Sequence, residues 1–316
     1  MRYGLPYKGS KNAIAKWIIS QLPTADTFVD LFCGGGAVTH AALLSGKYEH
    51  FIMNDIDGRL PCLFIEACRG KHTIENHTEW ISREEFSQRK AEDAYIALVW
   101  SFGNNGKDYL YGKDIEQFKH DYHNAVFTND VELFRPYGYD IKRSFETDIY
   151  KRYLDFNKQI KRQLKNVCLE NLTRQIEIER LQSLQSLQSL IIFKNDYQAV
   201  PIPKGSLIYC DIPYKGTNCG KYKGFDHERF YEWARKQDNI YISEYSMPDD
   251  FIPYSWNDKT ILSASNGNSS GGREVIFTNE RTFSRLSEDQ KELSKRKFAT
   301  QLDIFGLLQV GAEDIV

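Results

Sequence analysis

A short apolar run, FVDLF at 28–32, passes directly into Cys33-Gly34-Gly35-Gly36 and then into the helix-forming stretch AVTHAALL. No other segment restricts the fold as much. Glycines between a strand and a helix let the backbone turn tightly. They also let a ligand approach without a Cβ in the way, at the helix end where unpaired N–H groups gather. FIMNDID at 51–57 reads as a second strand ending in acid, and its Asp55 lies 21 residues beyond Gly34. Nucleoside-binding α/β domains place a carboxylate at that interval to take ribose hydroxyls. A structural turn followed by a chance acid would explain the same residues, so the reading needs support elsewhere in the chain.

The turn departs from the dinucleotide fingerprint at Thr39, where a third glycine is expected. This disfavours a pyrophosphate. A cofactor gripped by adenosine and an amino-acid tail asks less of the loop, and S-adenosylmethionine is such a cofactor.

SLIYCDIPY (206–214) repeats the design of an apolar strand with a polar, turn-forming end, and NIYISEY (239–245) reads as a fourth strand. TILSAS (260–265) and EVIFTN (274–279) read as a hairpin across NGNSSGGR, and helices are expected at 10–22, 36–45 and 226–237. The alternation predicts an α/β fold whose parallel or mixed sheet is covered on both faces. Between about 58 and 190 the sequence turns mostly helical and polar, which reads as an inserted domain. Within it, Lys142 to Lys165 carries a net charge of +5 with Tyr150, Tyr153 and Phe156 interleaved, a pattern of either a solvated helix face or a nucleic-acid contact. In ERLQSLQSLQSLII (179–192), Leu181, Leu184, Leu187 and Leu190 recur every three residues. That period is too short for a solenoid, so one helix with a drifting leucine stripe is expected, with no chemistry assigned. After Glu280 a charged tail of helical propensity leads to DIFGLL, expected to pack back on the domain or on a second subunit.

Asp211-Ile212-Pro213-Tyr214 falls at the carboxyl end of its strand, where open α/β sheets bind ligands. An acid, a rigid proline and an aromatic ring in succession suit a planar base. Asp211 can accept a hydrogen bond from an exocyclic amine, and the Ile212 carbonyl, held by Pro213, can accept a second. Tyr214 can stack on the base, a contact worth roughly 1–3 kcal/mol. Standing alone, the four residues would read as a turn capped by Asp and Pro.

Composition removes several other classes. The 316 residues are 41% hydrophobic and 27% charged, which suits one large domain or two moderate ones and excludes a disordered chain. Net charge is −2, so attraction to nucleic acid or to an anionic membrane must come from a local patch. The longest apolar run, Ala94 to Trp100, is far short of a bilayer, and MRYGLPYKGS lacks the features of a secretory signal, so a cytoplasmic protein is expected. The six cysteines form no CxxC pair and fit reduced thiols. His120 and His123 could share a helix face, but they lack companion ligands, and no metal is expected.

In chain order, PYKGSK (6–11), DLFCGGG (30–36), a long insertion and DIPY (211–214) resemble the Dam-like DNA adenine-N6 methyltransferases, class alpha, D12 type. Members of that family carry an N-terminal lysine motif, a strand with an FxGxG-type turn, an inserted target-recognition domain and a D-P-P-Y motif. The resemblance continues through YKGTNCGKYKGFDHERFYEWA (214–234), ISEYSMP (242–248) and REVIFTN (273–279). It is strong over about 1–57 and 191–280 and faint in the insertion.

The resemblance implies a Rossmann-like methyltransferase sheet built from 1–57 and 191–280, with helices on both faces. It further implies a mostly helical target-recognition domain at 58–190, while the charged tail is expected to form a C-terminal helical extension at 281–316. Tyr7 and Lys11 would lie beside the methionine end of S-adenosylmethionine, with Asp30, Phe32, Gly34, Gly35 and Gly36 along its centre and Asp55 on its ribose. Asp211, Ile212, Pro213 and Tyr214 would hold the target amine and base, Asp211 also bordering the cofactor. The implied reaction is metal-free methyl transfer to N6 of an adenine flipped out of double-stranded DNA, although the same chemistry would serve cytosine N4 or RNA. A partner restriction endonuclease and the oligomeric state stay open. Ile212 stands where the family has its first proline. The carbonyl survives that change but the fixed φ does not, which implies a looser loop or, at the extreme, a DNA-binding relic without activity.

Overall fold

The computed structural model describes residues 2–162, 167–184, 189–215, 224–257, 274–292 and 294. Along the chain come α1 (Ala15–Gln21), β1 (Thr27–Asp30), α2 (Ala37–Leu43) and β2 (His50–Asn54). A helical run follows: α3 (Arg59–Cys68), α4 (Arg83–Arg89), α5 (Ala94–Val99), α6 (Lys113–Thr128), α7 (Ile149–Lys161) and α8 (Glu170–Glu179). The last elements are β3 (Leu190–Phe193), β4 (Leu207–Asp211), α9 (His227–Ala234), β5 (Ile240–Glu244), β6 (Ile252–Asn257), β7 (Glu274–Thr278) and α10 (Glu280–Ser284). The chain divides into two compact units, one of Ile14–Cys33, Ala41–Ile56 and Phe193–Val316, the other of Met1–Ala13, Gly34–His40 and Asp57–Ile192.

The strands form a mixed seven-stranded sheet in the order β3-β2-β1-β4-β5-β7-β6, with helices on both faces. β2, β1, β4 and β5 run parallel, with Val29 beside Ile52 and Ile208, and Cys210 beside Ile242. β1 and β5 are buried along their whole length, as strands covered on both faces must be. Their side chains join Phe230, Tyr231 and Ala234 of α9 in one core, and each fully buried large residue contributes about 1.5–3 kcal/mol. Because successive parallel strands lie on opposite sides of β1, the order reverses between β1 and β4. A crevice opens at such a point.

β7 runs antiparallel to β5, and β6 antiparallel to β7. The hairpin partner that the structure gives EVIFTN is thus β6, a strand that the sequence reading did not assign. TILSAS and the glycine-rich segment after it lie outside the described residues, as does 295–316 of the expected C-terminal extension.

In the other unit, the single helix expected over 179–192 is replaced by three pieces. α8 stops at Glu179, a 3-10 turn covers Arg180–Ser183, and Leu190 opens β3; Leu187 lies outside the described residues. A period of three cannot keep one face of a 3.6-residue helix buried, and Leu190-Ile191-Ile192-Phe193 has strand composition. Tyr122 of α6, Phe134, and Phe156 and Ile160 of α7 are fully buried in this unit's core. The rings of 142–165 accordingly pack inward: Tyr153 and Phe156 belong to the core and Tyr150 packs against it, while Lys151, Lys158, Lys161 and Arg162 are exposed. His123 is also structural. It is fully buried, Asn171 donates to its Nδ1 at 3.0 Å, and its Nε2 reaches the Thr78 carbonyl at 3.0 Å, an arrangement that requires a neutral ring. Burial lowers its pKa to about 4. Among the described residues, no helix is long and apolar enough to cross a membrane.

Candidate active site

The parallel strands deliver their carboxyl ends to one edge of the sheet. Asp30 ends β1, Asp55 follows β2, Asp211 ends β4 and Glu244 ends β5. Since β7 runs the other way, it brings its first residue, Glu274, to the same edge, with Val275 paired to Glu244. Five acids thus share the edge, and Asp30, Asp55, Glu244 and Glu274 are all no more than 5% exposed.

Around β1 and β2 the backbone is tied down by neighbouring strands. The Leu31 N–H donates to the Tyr209 carbonyl at 3.1 Å and the Cys33 N–H to the Asn54 carbonyl at 2.9 Å. Asn54 Nδ2 donates to the carbonyls of Leu31 (2.9 Å) and Asn195 (3.1 Å), and its Oδ1 accepts from the Asn195 N–H at 3.0 Å. Burial, then the Asp30 and Asp55 carboxylates, push the Cys33 thiol well up, so both acids act on the turn between their strands. Phe32 is half-buried against Tyr197, Phe225 and Phe230, with ring centroids 5.5–5.7 Å apart. Sequence reasoning missed Asn54 and Asn195, whose only local signal is an Asn at a strand end.

On the β4, β5 and β7 side, Asp211 and Tyr214 meet the two glutamates. The Tyr214 hydroxyl donates to Glu274 Oε1, and burial, then the charges of Asp211 and Glu274, keep that hydroxyl protonated by raising its pKa. Glu244 accepts from the backbone N–H groups of Tyr245 (2.8 Å) and Lys215 (3.2 Å). Burial lifts its carboxyl to about 7 against those two bonds, with the Asp211 and Glu274 charges acting in the same upward direction. The Tyr245 ring stands edge-on to Tyr214 with centroids 4.6 Å apart. Ile212 is 2% exposed, its side chain in the sheet's core, and the Pro213 carbonyl receives His227 Nε2 at 2.8 Å.

The remaining predicted residues lie in the other unit. The Leu5 N–H donates to the Gly35 carbonyl at 2.7 Å and the Gly4 N–H to His40 Nδ1 at 3.0 Å, which requires an unprotonated Nδ1; burial lowers the His40 pKa to about 4. A Cβ on Gly35 would stand 2.9 Å from Tyr7 Cβ, and one on Gly34, whose φ is +48°, 3.2 Å from the Tyr7 ring. The glycines therefore admit the N-terminal segment itself. Gly36 has φ +72°, and Lys11 opens a 3-10 turn over Lys11–Ala13.

A Rossmann-like sheet with helices on both faces and acids on its carboxyl edge is consistent with a methyltransferase fold. The family model of the D12 class N6 adenine-specific DNA methyltransferases matches residues 7–256, and the chain belongs to that family of adenine-N6 DNA methyltransferases. No match was found among the curated proteins.

Proposed function

We propose that the chain moves a methyl group from S-adenosylmethionine to the N6 amine of an adenine swung out of double-stranded DNA. The observation that carries this reading is the acidic edge. The buried carboxylates of Asp30 and Asp55, with the half-buried one of Asp211, suit a ligand bearing a sulfonium and an ammonium, and would repel a pyrophosphate. S-adenosylmethionine fits that donor set, Asp55 taking its ribose and Asp30 lying toward its centre. Tyr7, Lys11, Phe32 and Gly34, Gly35 and Gly36 complete the cofactor side in this reading. When bound, it supplies an activated methyl group, and no metal is required.

The protein's part is orientation and charge. The adenine amine is a weak nucleophile because its lone pair is conjugated into the ring. Accepting both N–H groups, one at the Asp211 carboxylate and one at the Ile212 carbonyl, favours a tetrahedral nitrogen whose lone pair faces the methyl. With the Pro213 carbonyl already engaged by His227, the Ile212 carbonyl is the backbone acceptor we assign. The Tyr214 ring stacks on the base. Asp211 need not be a strong base, since the nitrogen sheds a proton readily once it carries positive charge.

Flipping the base costs a few kcal/mol, which DNA contacts must offset. We assign these to the region 58–190 as a target-recognition domain. A groove of about 870 Å³ there is lined by Arg83, Lys90, Lys107 and Arg174 against Asp108 and Glu170, and by Phe102, which is 67% exposed. α7 and its C-cap carry further exposed cations at Lys151, Lys158, Lys161 and Arg162. Replacing Lys158, Lys161 and Arg162 together should weaken DNA binding and flatten its salt dependence while sparing cofactor affinity, because each phosphate contact releases counterions. An unchanged salt slope would mark α7 as a solvated face.

Expression in a methylation-deficient host, followed by modification-sensitive sequencing, tests the whole reading. N6-methyladenine in a defined motif is expected. Methyl groups on cytosine N4, or none, would overturn it.

A further inference from the structure

The loop that carries Asp211 to Tyr214 lacks one of the two prolines expected of it, yet it is held at three successive residues by three different elements. His227 at the start of α9 meets the Pro213 carbonyl at 2.8 Å. Glu274, fully buried at the start of β7, takes the Tyr214 hydroxyl. Glu244, 1% exposed at the end of β5, takes the Lys215 N–H at 3.2 Å. Ile212 adds a fourth anchor, since its side chain is sunk into the sheet's core where a proline would reach less far. None of His227, Glu244 and Glu274 belongs to the four-residue motif.

We propose that His227, Glu244 and Glu274 are positioning residues for methyl transfer, clamping by hydrogen bonds a loop whose backbone is freed by Ile212. The proposal rests on the assignment of Asp211 and Tyr214 to the target base. Glu274 has the most specific part. A ring anchored at its hydroxyl cannot swing about χ1 or slide along the base, so the face on which the base stacks is fixed before the base arrives. Glu244 fixes the backbone on the far side of Tyr214 and thereby sets the direction in which the ring leaves the chain. His227 holds the Pro213 carbonyl away from the amine and leaves the preceding carbonyl as acceptor. Nothing is consumed in this role, and no proton has to move through the clamp.

The test uses the full chain, S-adenosylmethionine with a labelled methyl group, and plasmid DNA from a methylation-deficient host. Glu274→Gln keeps size and loses charge, and Tyr214→Phe keeps the ring and loses only the hydroxyl. Each is expected to lower kcat by about 10- to 100-fold, the scale on which misplaced reactants lose rate, with the KM for cofactor and the melting temperature little changed. The double variant should be no slower than the slower single one, because both act on one contact, which Gln can keep only as a weaker, uncharged hydrogen bond. Glu244→Gln and His227→Ala should show the same split between kcat and KM with smaller losses. If Glu274→Gln and Tyr214→Phe both turn over at the wild-type rate, or if their losses multiply, the clamp is overturned while the function stands. A wild-type protein that transfers no methyl overturns the function and the clamp together. Should Glu274→Gln fail to fold, Tyr214→Phe decides alone, since it removes a single hydroxyl from a residue outside the strands and keeps the ring.

Discussion

The two halves of the acidic edge are built differently, although both present carboxylates from strand ends. Beside β1 and β2 the turn is fixed by main-chain hydrogen bonds and by one asparagine side chain, and Asp30 and Asp55 lie against a buried thiol. Beside β4, β5 and β7 the loop is fixed by side chains reaching in from three elements, and the acids there press on one another. A site that only has to hold a ligand can rely on backbone, which any apolar strand sequence provides. A site that must orient a reacting atom relies on particular side chains, and single substitutions there should cost rate before they cost affinity.

The largest expected effect is that of Asp211→Ala. On the role proposed for Asp211, losing this charged acceptor should raise the barrier by about 3–4 kcal/mol or more and abolish transfer. Cofactor affinity, measured by calorimetry, should stay within a small factor. Full activity would remove Asp211 from the chemistry and erase the contrast between the halves.

Asp55→Ala should do the reverse, weakening the cofactor by roughly 1.5–3 kcal/mol if it removes a charged hydrogen bond, with kcat at saturating cofactor preserved. Equal losses in rate and affinity would mean that the two halves act as one.

Glu244 makes the contrast depend on pH. Its folded pKa of about 7 lies above the ordinary carboxyl value, so its contribution to stability is complete below about pH 4.5 and is lost as pH rises through 7. Removing the titration with Glu244→Gln should therefore help the variant relative to wild type more at pH 8 than at pH 5, by on the order of 1–3 kcal/mol. Thermal melts of both proteins across that range provide the check, and parallel curves would rule the effect out.

The smallest effect is expected from Ile212→Pro. Restoring the family residue withdraws a buried side chain from the core and should cost about 1–2 kcal/mol in denaturant unfolding, while transfer is retained because the carbonyl remains. A large gain in rate would show that the side-chain clamp does not replace the missing proline.

What the sequence disclosed follows the same division. Asp55 and Asp211 are legible because each closes an apolar run, and a strand end in an α/β chain is where ligands bind, whereas Asp30, inside FVDLF, is marked only by the family resemblance. Glu244 and Glu274 sit in ISEYSMP and REVIFTN, segments that were noticed without a role. Their meaning comes from contacts made across 29 and 60 residues, and those contacts exist only because the sheet places β5 and β7 beside β4. β6 and β3 were missed for related reasons: IPYSWN does not alternate cleanly, and β3 is hidden at the end of a leucine repeat. The rings of α7 misled because an aromatic among lysines looks the same whether it faces a core or a base.

The reversed direction of β7 also sets an order in time. Every other acid on the edge has left the ribosome by residue 244, but the acceptor for the Tyr214 hydroxyl arrives only with residue 274, and the strand that carries it must then insert between β5 and β6. A growing chain thus holds the whole Asp211–Tyr214 segment well before it can lock it. The contact between Glu274 and Tyr214 therefore requires β7 to be in place, a strand running against both of its neighbours.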